Sequence, residues 1–411
     1  MKEKLSKFRA IFYTPTLIYF VLFIAISLIA IASASPIARI QYGGENFVIR
    51  QLIFYGVGTF AMVAVLFLGV KNLRYTRWIL YGFFLILLGF TLAYNRLPGF
   101  EPSWVSHING ATRWIDLGFM SVQPSEFMRI ALILVIADVI QKHNEKNPHE
   151  ARTFKTDFWL IFKTLMIVVV PAFLIFDQPD SGITILILIT MSLMLLASGI
   201  KWTYIVTVAG LAGVFTYTFL TLAQYYPEVL IDSGLVEGYQ LDRFSGWVDP
   251  FGAISDVGHH LARGLIGMGS GGILGNGFQS ATVFFPEAHT DYIFAVIGMD
   301  FGMIGSMIVI GISLLFNFTI LNTAVLNRGH YNSHVCVGIF TSLMAQQFWN
   351  IGMTLGIVPI SGVTLPFISH GGSSVLASMI MLGIILSAHV EGRELNHSET
   401  TFREDITYLP Q

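Results

Sequence analysis

The chain has 411 residues, 54% of them hydrophobic and only 12% charged. A soluble globular chain carries roughly 25% charge, so a large soluble core is excluded and a lipid-facing surface explains the deficit. The formal net charge of −2 gives a nucleic-acid partner no electrostatic support, and a lone cysteine, Cys336, excludes an intrachain disulfide.

A spanning helix needs about 20 mostly apolar residues. In chain order ten segments qualify: 12–34, 51–70, 78–95, 125–141, 158–176, 183–200, 203–225, 291–325, 333–356 and 374–391. The first follows a basic start, and its apolar run from Leu17 to Ala34 is too long for a signal-peptide core, so it reads as a retained helix. The eighth exceeds one span; it is tilted, broken near Gly302–Gly305, or extended beyond the bilayer. The expected fold is an all-α integral membrane protein of about ten transmembrane helices, one polytopic domain over 1–411. A large extracytoplasmic loop is expected at 226–290 and a short cytoplasmic tail at 392–411.

Charge sets the orientation. With both termini in the cytoplasm, fifteen of the 23 Lys and Arg fall on the cytoplasmic side, including a short basic loop at 71–77. Only Arg39, Arg50, Arg96, Arg113, Arg243 and Arg263 fall outside, and no lysine does. This is the positive-inside pattern. The long outer segments at 96–124, 226–290 and 357–373 are rich in Gly, Pro and polar residues and also carry aromatics such as Trp104, Trp114 and Trp247. Long ordered loops in a compact protein are usually functional, so function faces outward.

Asp291 is the leading candidate for chemistry. It lies in Pro286-Glu287-Ala288-His289-Thr290-Asp291-Tyr292, where an outer loop enters a span. Burial at that boundary raises a carboxylate's pKa, which suits a general base or acid. Thr290 or Asp291 could instead cap the helix, and at this point both readings stand. Glu287 and His289 either orient the site or are simply solvated.

Arg113 beside Trp114, in Asn109-Gly110-Ala111-Thr112-Arg113-Trp114-Ile115, is suited to holding a phosphate bidentately, or to anchoring at the interface. Gln123-Pro124-Ser125-Glu126 reads as a helix start that Ser125 can cap. Arg129 and Asp138 must face protein, nine residues apart and not as a pair. Further on come Asp242-Arg243-Phe244 with Trp247, then Arg263 and the glycines at 267, 269, 271, 272, 275 and 277, which permit tight turns and close ligand approach. No Gly-Lys-Ser/Thr follows, so this is not a P-loop. His259 and His260 lack a second cluster that would make a metal site. Asp177-Gln178-Pro179-Asp180-Ser181-Gly182 forms a tight outer turn whose two carboxylates serve either turn chemistry or contact with a cation and substrate. Leu365-Pro366-Phe367-Ile368-Ser369-His370-Gly371-Gly372-Ser373-Ser374 reads as a re-entrant or broken helix, with Ser373 a candidate substrate contact.

In this order the segments NGATRWI, QPSE, QPDSG, RF…DP, GSGGILGNG, PEAHTDYIFAVIG, NIGM and LPFISHGGSS resemble the SEDS family, the RodA/FtsW/SpoVE group of bacterial peptidoglycan polymerases. The resemblance runs along nearly the whole chain. It implies a ten-helix protein of the bacterial cytoplasmic membrane that polymerises lipid II beside a class B penicillin-binding transpeptidase. It also implies that Asp291 is the essential carboxylate, with Arg113, Arg243 and Arg263 as outward cations for the departing pyrophosphate. A divalent cation is compatible with this chemistry, although no ligand set singles one out. Departures from the family pattern are Met299 for the first of two acidic residues, His370 for a tyrosine, and Arg129 for a lysine. The spacing from NGATRWI to QPSE is closer to RodA than to FtsW. A lipid flippase and a non-catalytic scaffold are the rival functions. A flippase calls for mid-membrane charges and inverted repeats; a scaffold tolerates loss of Asp291.

Overall fold

The computed structural model describes residues 15–96, 102, 104–108, 111–118, 120–148, 152–232, 244–252 and 259–407, the last of these without side chains beyond 394. Ten long helices account for most of it: α1 Pro15–Tyr42, α2 Phe47–Leu68, α3 Val70–Arg96, α4 Pro124–Lys146, α5 Phe154–Phe176, α6 Ser181–Ala197, α7 Trp202–Tyr225, α10 Ile293–Leu326, α11 Tyr331–Thr354 and α12 Gly372–Thr407. Two shorter ones, α8 Pro227–Asp232 and α9 His259–Ser270, lie between α7 and α10.

Among the described residues, six helices are long and apolar enough to cross a membrane: α1, α2, α3, α5, α10 and α12. Helix α4 is not one of them, because it sits in the centre. Seventeen of its 23 residues are buried, Glu126, Arg129 and Asp138 among them. Ionisable groups at membrane depth are tolerated where protein, not lipid, surrounds them. Arg129 pairs with Glu126 at 2.8 Å, and Asp138 pairs with Arg74, Arg77 and Lys142. As the spacing required, the two do not pair with each other.

Several boundaries differ from the sequence reading. The basic stretch 71–77 is not a loop but the first turns of α3. A single residue, Gly69 at φ +82°, turns the chain between α2 and α3, a conformation that costs glycine little. Helix α12 continues through most of the expected tail, to Thr407. The outer segment at 96–124 folds in part into a small antiparallel sheet, β1 Val105–Ile108, β2 Ala111–Asp116 and β3 Ser121–Val122 in the order β1-β2-β3. Ile115 pairs with both Val105 and Val122, so β2 is the central strand.

Helix α10 is the long eighth segment, and it breaks at Gly302 (φ +65°, ψ −160°). The glycine-rich turn after α9 docks into that break. The N–H groups of Met303 and Ile304 donate to the carbonyls of Gly272 and Ile273, and those of Asn276 and Gly277 donate to the carbonyls of Met299 and Asp300. A Cβ on Gly271 would lie 2.2 Å from the Gly298 carbonyl oxygen, and one on Gly275 would lie 2.2 Å from that of Asp300. The glycines thus admit backbone against backbone, with no ligand needed to explain them. Asp300 is buried beneath the turn and accepts hydrogen bonds from Ser33 of α1 and Ser280.

Candidate active site

Between α11 and α12 the chain runs without regular structure through residues 359–371. Irregular backbone buried inside a helix bundle must find its hydrogen bonds within the protein. Polar side chains on the flanking helices provide them. Ser27 of α1 donates to the Ile368 carbonyl at 2.7 Å, Gln51 of α2 to that of Ser369 at 3.2 Å, and the Tyr55 hydroxyl of α2 to that of Phe367. From α11, Gln346 donates to the Thr364 carbonyl at 3.1 Å. Phe367 holds φ +65°, a strained conformation for a side-chain-bearing residue that persists only where the surroundings enforce it.

The segment carrying Asp291 is stitched to this loop. The Ser369 hydroxyl donates to the Thr290 carbonyl at 2.7 Å, and the His370 N–H donates to the His289 carbonyl at 2.9 Å. Asn350 of α11 spans both strands of chain, donating to the carbonyls of Asp291 at 2.8 Å and Val363 at 2.7 Å. The Asp291 carboxylate, half-buried, rests against Gly362, where a Cβ would approach its Oδ2 to 3.3 Å. Helix α10 takes its N-cap at Tyr292, with no side-chain capping bond there. Thr290 directs its hydroxyl to Glu287 at 2.6 Å, so it does not cap the helix.

Glu287 and His289 are not simply solvated, which corrects that reading. Glu287, at φ +54°, accepts from the hydroxyls of Tyr42 and Thr290. His289 is buried among Tyr42, Phe47 and His370, with ring centroids 5.2, 4.2 and 5.5 Å away. Burial lowers its pKa, opposed by the carboxylates of Glu287 and Glu45. The His370 ring also meets Phe47 and Phe54, and burial with the neighbouring His289 and Arg50 pushes its pKa from 6.5 down to about 3. Burial thus favours the neutral form of both imidazoles, in keeping with the aromatic rings around them. Tyr292 is buried beside Asp291, and burial first, then the Asp291 charge, raises its phenol.

The outer-loop segments read separately from the sequence meet at Asp180. Its carboxylate accepts from Gln123 at 2.6 Å and Ser125 at 2.9 Å and lies 3.3 Å from Arg113. Ser125 therefore holds Asp180; the N-cap of α4 is Gln123, which makes no side-chain cap. The Arg113 guanidinium lies over the Trp114 ring at 4.5 Å and donates to the Pro179 carbonyl at 3.3 Å. Asp177, in the same turn, pairs with Arg96. Two residues beyond Asp180, a Cβ on Gly182 would meet the Ser361 carbonyl at 2.7 Å, so this turn abuts the loop that bears on Asp291.

Ser373 ties the loop to β3, donating to the Ser121 carbonyl and accepting from the Gln123 N–H, both at 2.8 Å. Arg263 of α9 reaches the Phe284 carbonyl at 3.4 Å. Arg243 lies outside the described residues. Among the described residues no group of three or more His, Cys, Asp or Glu is placed to hold a metal ion. Sequence reasoning missed Ser27, Gln51, Tyr55 and Gln346, and quoted Asn350 only as the first residue of NIGM, with no role. The signal was available: amide side chains and hydroxyls inside otherwise apolar spans require partners.

Residues 14–394 match the protein family described as cell cycle protein, FtsW/RodA/SpoVE. A probable peptidoglycan glycosyltransferase FtsW of Coxiella burnetii is 31% identical over 88% of this chain and 92% of its own length. The stage V sporulation protein E of Bacillus subtilis is 30% identical over 89% and 93%. The peptidoglycan glycosyltransferase MrdB of Escherichia coli is 32% identical over 70% and 74%. Two solved structures share the fold at low identity. One, described as the structural coordination of polymerization and crosslinking by a peptidoglycan synthase complex, superposes with a TM-score of 0.71 at 23% identity, covering 92% of this chain and 97% of that one. The other is the rod shape determining protein RodA of Thermus thermophilus, with a TM-score of 0.62 at 22% identity over 91% and 95%.

Proposed function

The chain belongs to the FtsW/RodA/SpoVE family of cell cycle proteins, and from that premise we propose that it is a peptidoglycan glycosyltransferase of the bacterial inner membrane, polymerising lipid II on the outer face. The observation that carries the reading is Asp291. It is a half-buried carboxylate at the mouth of α10, with its backbone fixed by Asn350 and its side chain set against Gly362. On the expected topology of ten spans with both termini inside, this end of the bundle faces outward, as the positive-inside rule favours.

In this reaction a growing glycan, joined at C1 to undecaprenyl pyrophosphate, is the donor, and lipid II offers a sugar 4-hydroxyl. Asp291 takes the hydroxyl proton as the oxygen bonds to C1. The C1–O bond to pyrophosphate breaks on the opposite side, the pair of electrons leaves with pyrophosphate, and the α-linkage becomes β-1,4. Arg113, Arg243 and Arg263 are the cations assigned to the leaving charge, with Trp114, Glu287, His289 and Ser373 shaping the substrate site. Arg113 is suited to this because Asp180 and Trp114 hold its guanidinium in one place. A fixed cation needs no reorganisation as charge develops. A class B penicillin-binding transpeptidase is the proposed partner, in line with the peptidoglycan synthase complex among the similar structures.

The test is glycan formation from purified lipid II by the purified chain, with the transpeptidase present and a glycosyltransferase inhibitor controlling for contaminating enzymes. Glycan product supports the polymerase. An intact, partner-bound chain that makes none would favour the flippase or scaffold readings.

A further inference from the structure

At the end of the bundle opposite Asp291 lies a cavity of about 940 Å³ between the start of α3, the end of α4, the α10–α11 turn and α12. Lys71, Arg74 and Arg77 line it from α3, and Asp138 and Lys142 from α4. Asp138 accepts from Arg74 at 2.8 Å and forms ion pairs with Arg77 at 2.7 Å and Lys142 at 2.8 Å. One carboxylate is thus shared by three cations, and the Arg77 Nε is buried without a hydrogen-bond partner. A structural ion pair needs one cation; three around one anion repel each other and leave this wall positive.

The opposite wall offsets only part of that excess. Glu391, held by the Val70 N–H, Ser387 and Asn332 at 2.9, 3.1 and 2.9 Å, and Glu394 bring two negative charges, so the four cations of the lining still outnumber its three carboxylates. His330 also lines the cavity. The mouth adjoins a lipid-type surface: Tyr75, itself part of the lining, is 72% exposed, and Trp78 and Ile79 follow it on the outside of α3. Aromatic side chains of this kind sit at headgroup level. An acyl chain can therefore lie along α3 while its phosphate enters the cationic wall, an arrangement closed to a soluble anion.

We infer that this cavity is a binding site for the phosphate headgroup of an anionic phospholipid. Basic pockets between transmembrane helices recognise such headgroups. The leaflet is cytoplasmic in the orientation proposed above, while the site itself depends only on the residues around it.

Native mass spectrometry of the full chain in detergent, titrated in parallel with phosphatidylglycerol and phosphatidylcholine, tests this. Wild type should retain phosphatidylglycerol preferentially. The exposed-rim double substitution Lys71→Gln/Lys142→Gln should weaken that retention about tenfold or more, given the contribution of each cation near an anionic headgroup. The charge-preserving Lys71→Arg/Lys142→Arg should keep it, and thermal unfolding in zwitterionic detergent checks that both variants fold. Equal retention of the two lipids by wild type, or unchanged retention by the folded glutamine variant, overturns the inference. So does thermal stabilisation by inorganic phosphate, lost in that variant, without any preference for phosphatidylglycerol; that result assigns the cavity to a soluble phosphate.

Discussion

Two stretches of irregular backbone enter this helix bundle, and they are satisfied in opposite ways. The turn at 271–277 sits in the break of α10 and is held mostly by backbone meeting backbone, through glycines that leave room for it. The loop at 359–371 is held mostly by side chains reaching in from α1, α2 and α11. The first arrangement has no room for an added atom at Gly271 or Gly275 but makes few demands on its neighbours' side chains. The second fixes the surroundings of Asp291 through long-range hydrogen bonds. A site that must admit a substrate is better built the second way, since close backbone contact leaves nowhere for a ligand.

The contrast can be broken at specific residues. Gly275→Ala combines a left-handed φ of +87° with a 2.2 Å collision against the Asp300 carbonyl. It should destabilise the fold by roughly 3–5 kcal/mol, read as loss of thermal stability in detergent. Asn350→Leu leaves the carbonyls of Asp291 and Val363 without their shared donor. A cost of about 2–4 kcal/mol is expected, with a drop in polymerisation rate measured on the fraction that stays folded. Stability that held while activity fell would place the residue's main role in aligning Asp291.

Next in size is a pH effect. The folded-state pKa of His370 is depressed from 6.5 to about 3, so the unfolded chain binds the extra proton first as pH falls. The stability it contributes is present above about pH 6.5 and is lost progressively as pH falls towards about 3. His370→Phe should flatten the fall in melting temperature between pH 6.5 and pH 4, with the remaining slope partly due to His289, whose pKa is also lowered. The smallest effect belongs to Gly269→Ala, which has ordinary φ and open space around it. It should stay within about 0.5 kcal/mol of wild type and so separate the packed glycines, Gly271 and Gly275, from one that has both room and an ordinary φ.

Hydrophobic length made the helices readable from sequence, and the glycine pair at 302–305 marked where α10 breaks, because those signals are local. The meeting of Asp180 with Gln123, Ser125 and Arg113 was not readable, since each residue suits a local turn or cap and only the fold brings them together. Lys71, Arg74 and Arg77 were assigned to a loop because charge normally ends a span; here they stay on helix α3, where two of them find a buried partner in Asp138. Burial likewise separated His289 from the solvated residue its neighbours suggested. Asp291 was singled out from its position at a loop–span boundary, whereas Ser27, Gln51 and Tyr55, which shape the loop around it, were hidden inside apolar stretches.

The central claim is that Asp291 does acid–base chemistry in a site held by this loop. The direct measurement is the lipid II polymerisation rate of Asp291→Asn against wild type, each complexed with the transpeptidase and each with the same thermal stability. The account predicts a fall of about 10²–10⁴-fold, the usual contribution of a positioned general base. Equal rates from two equally folded proteins would contradict it and leave Asp291 a structural residue.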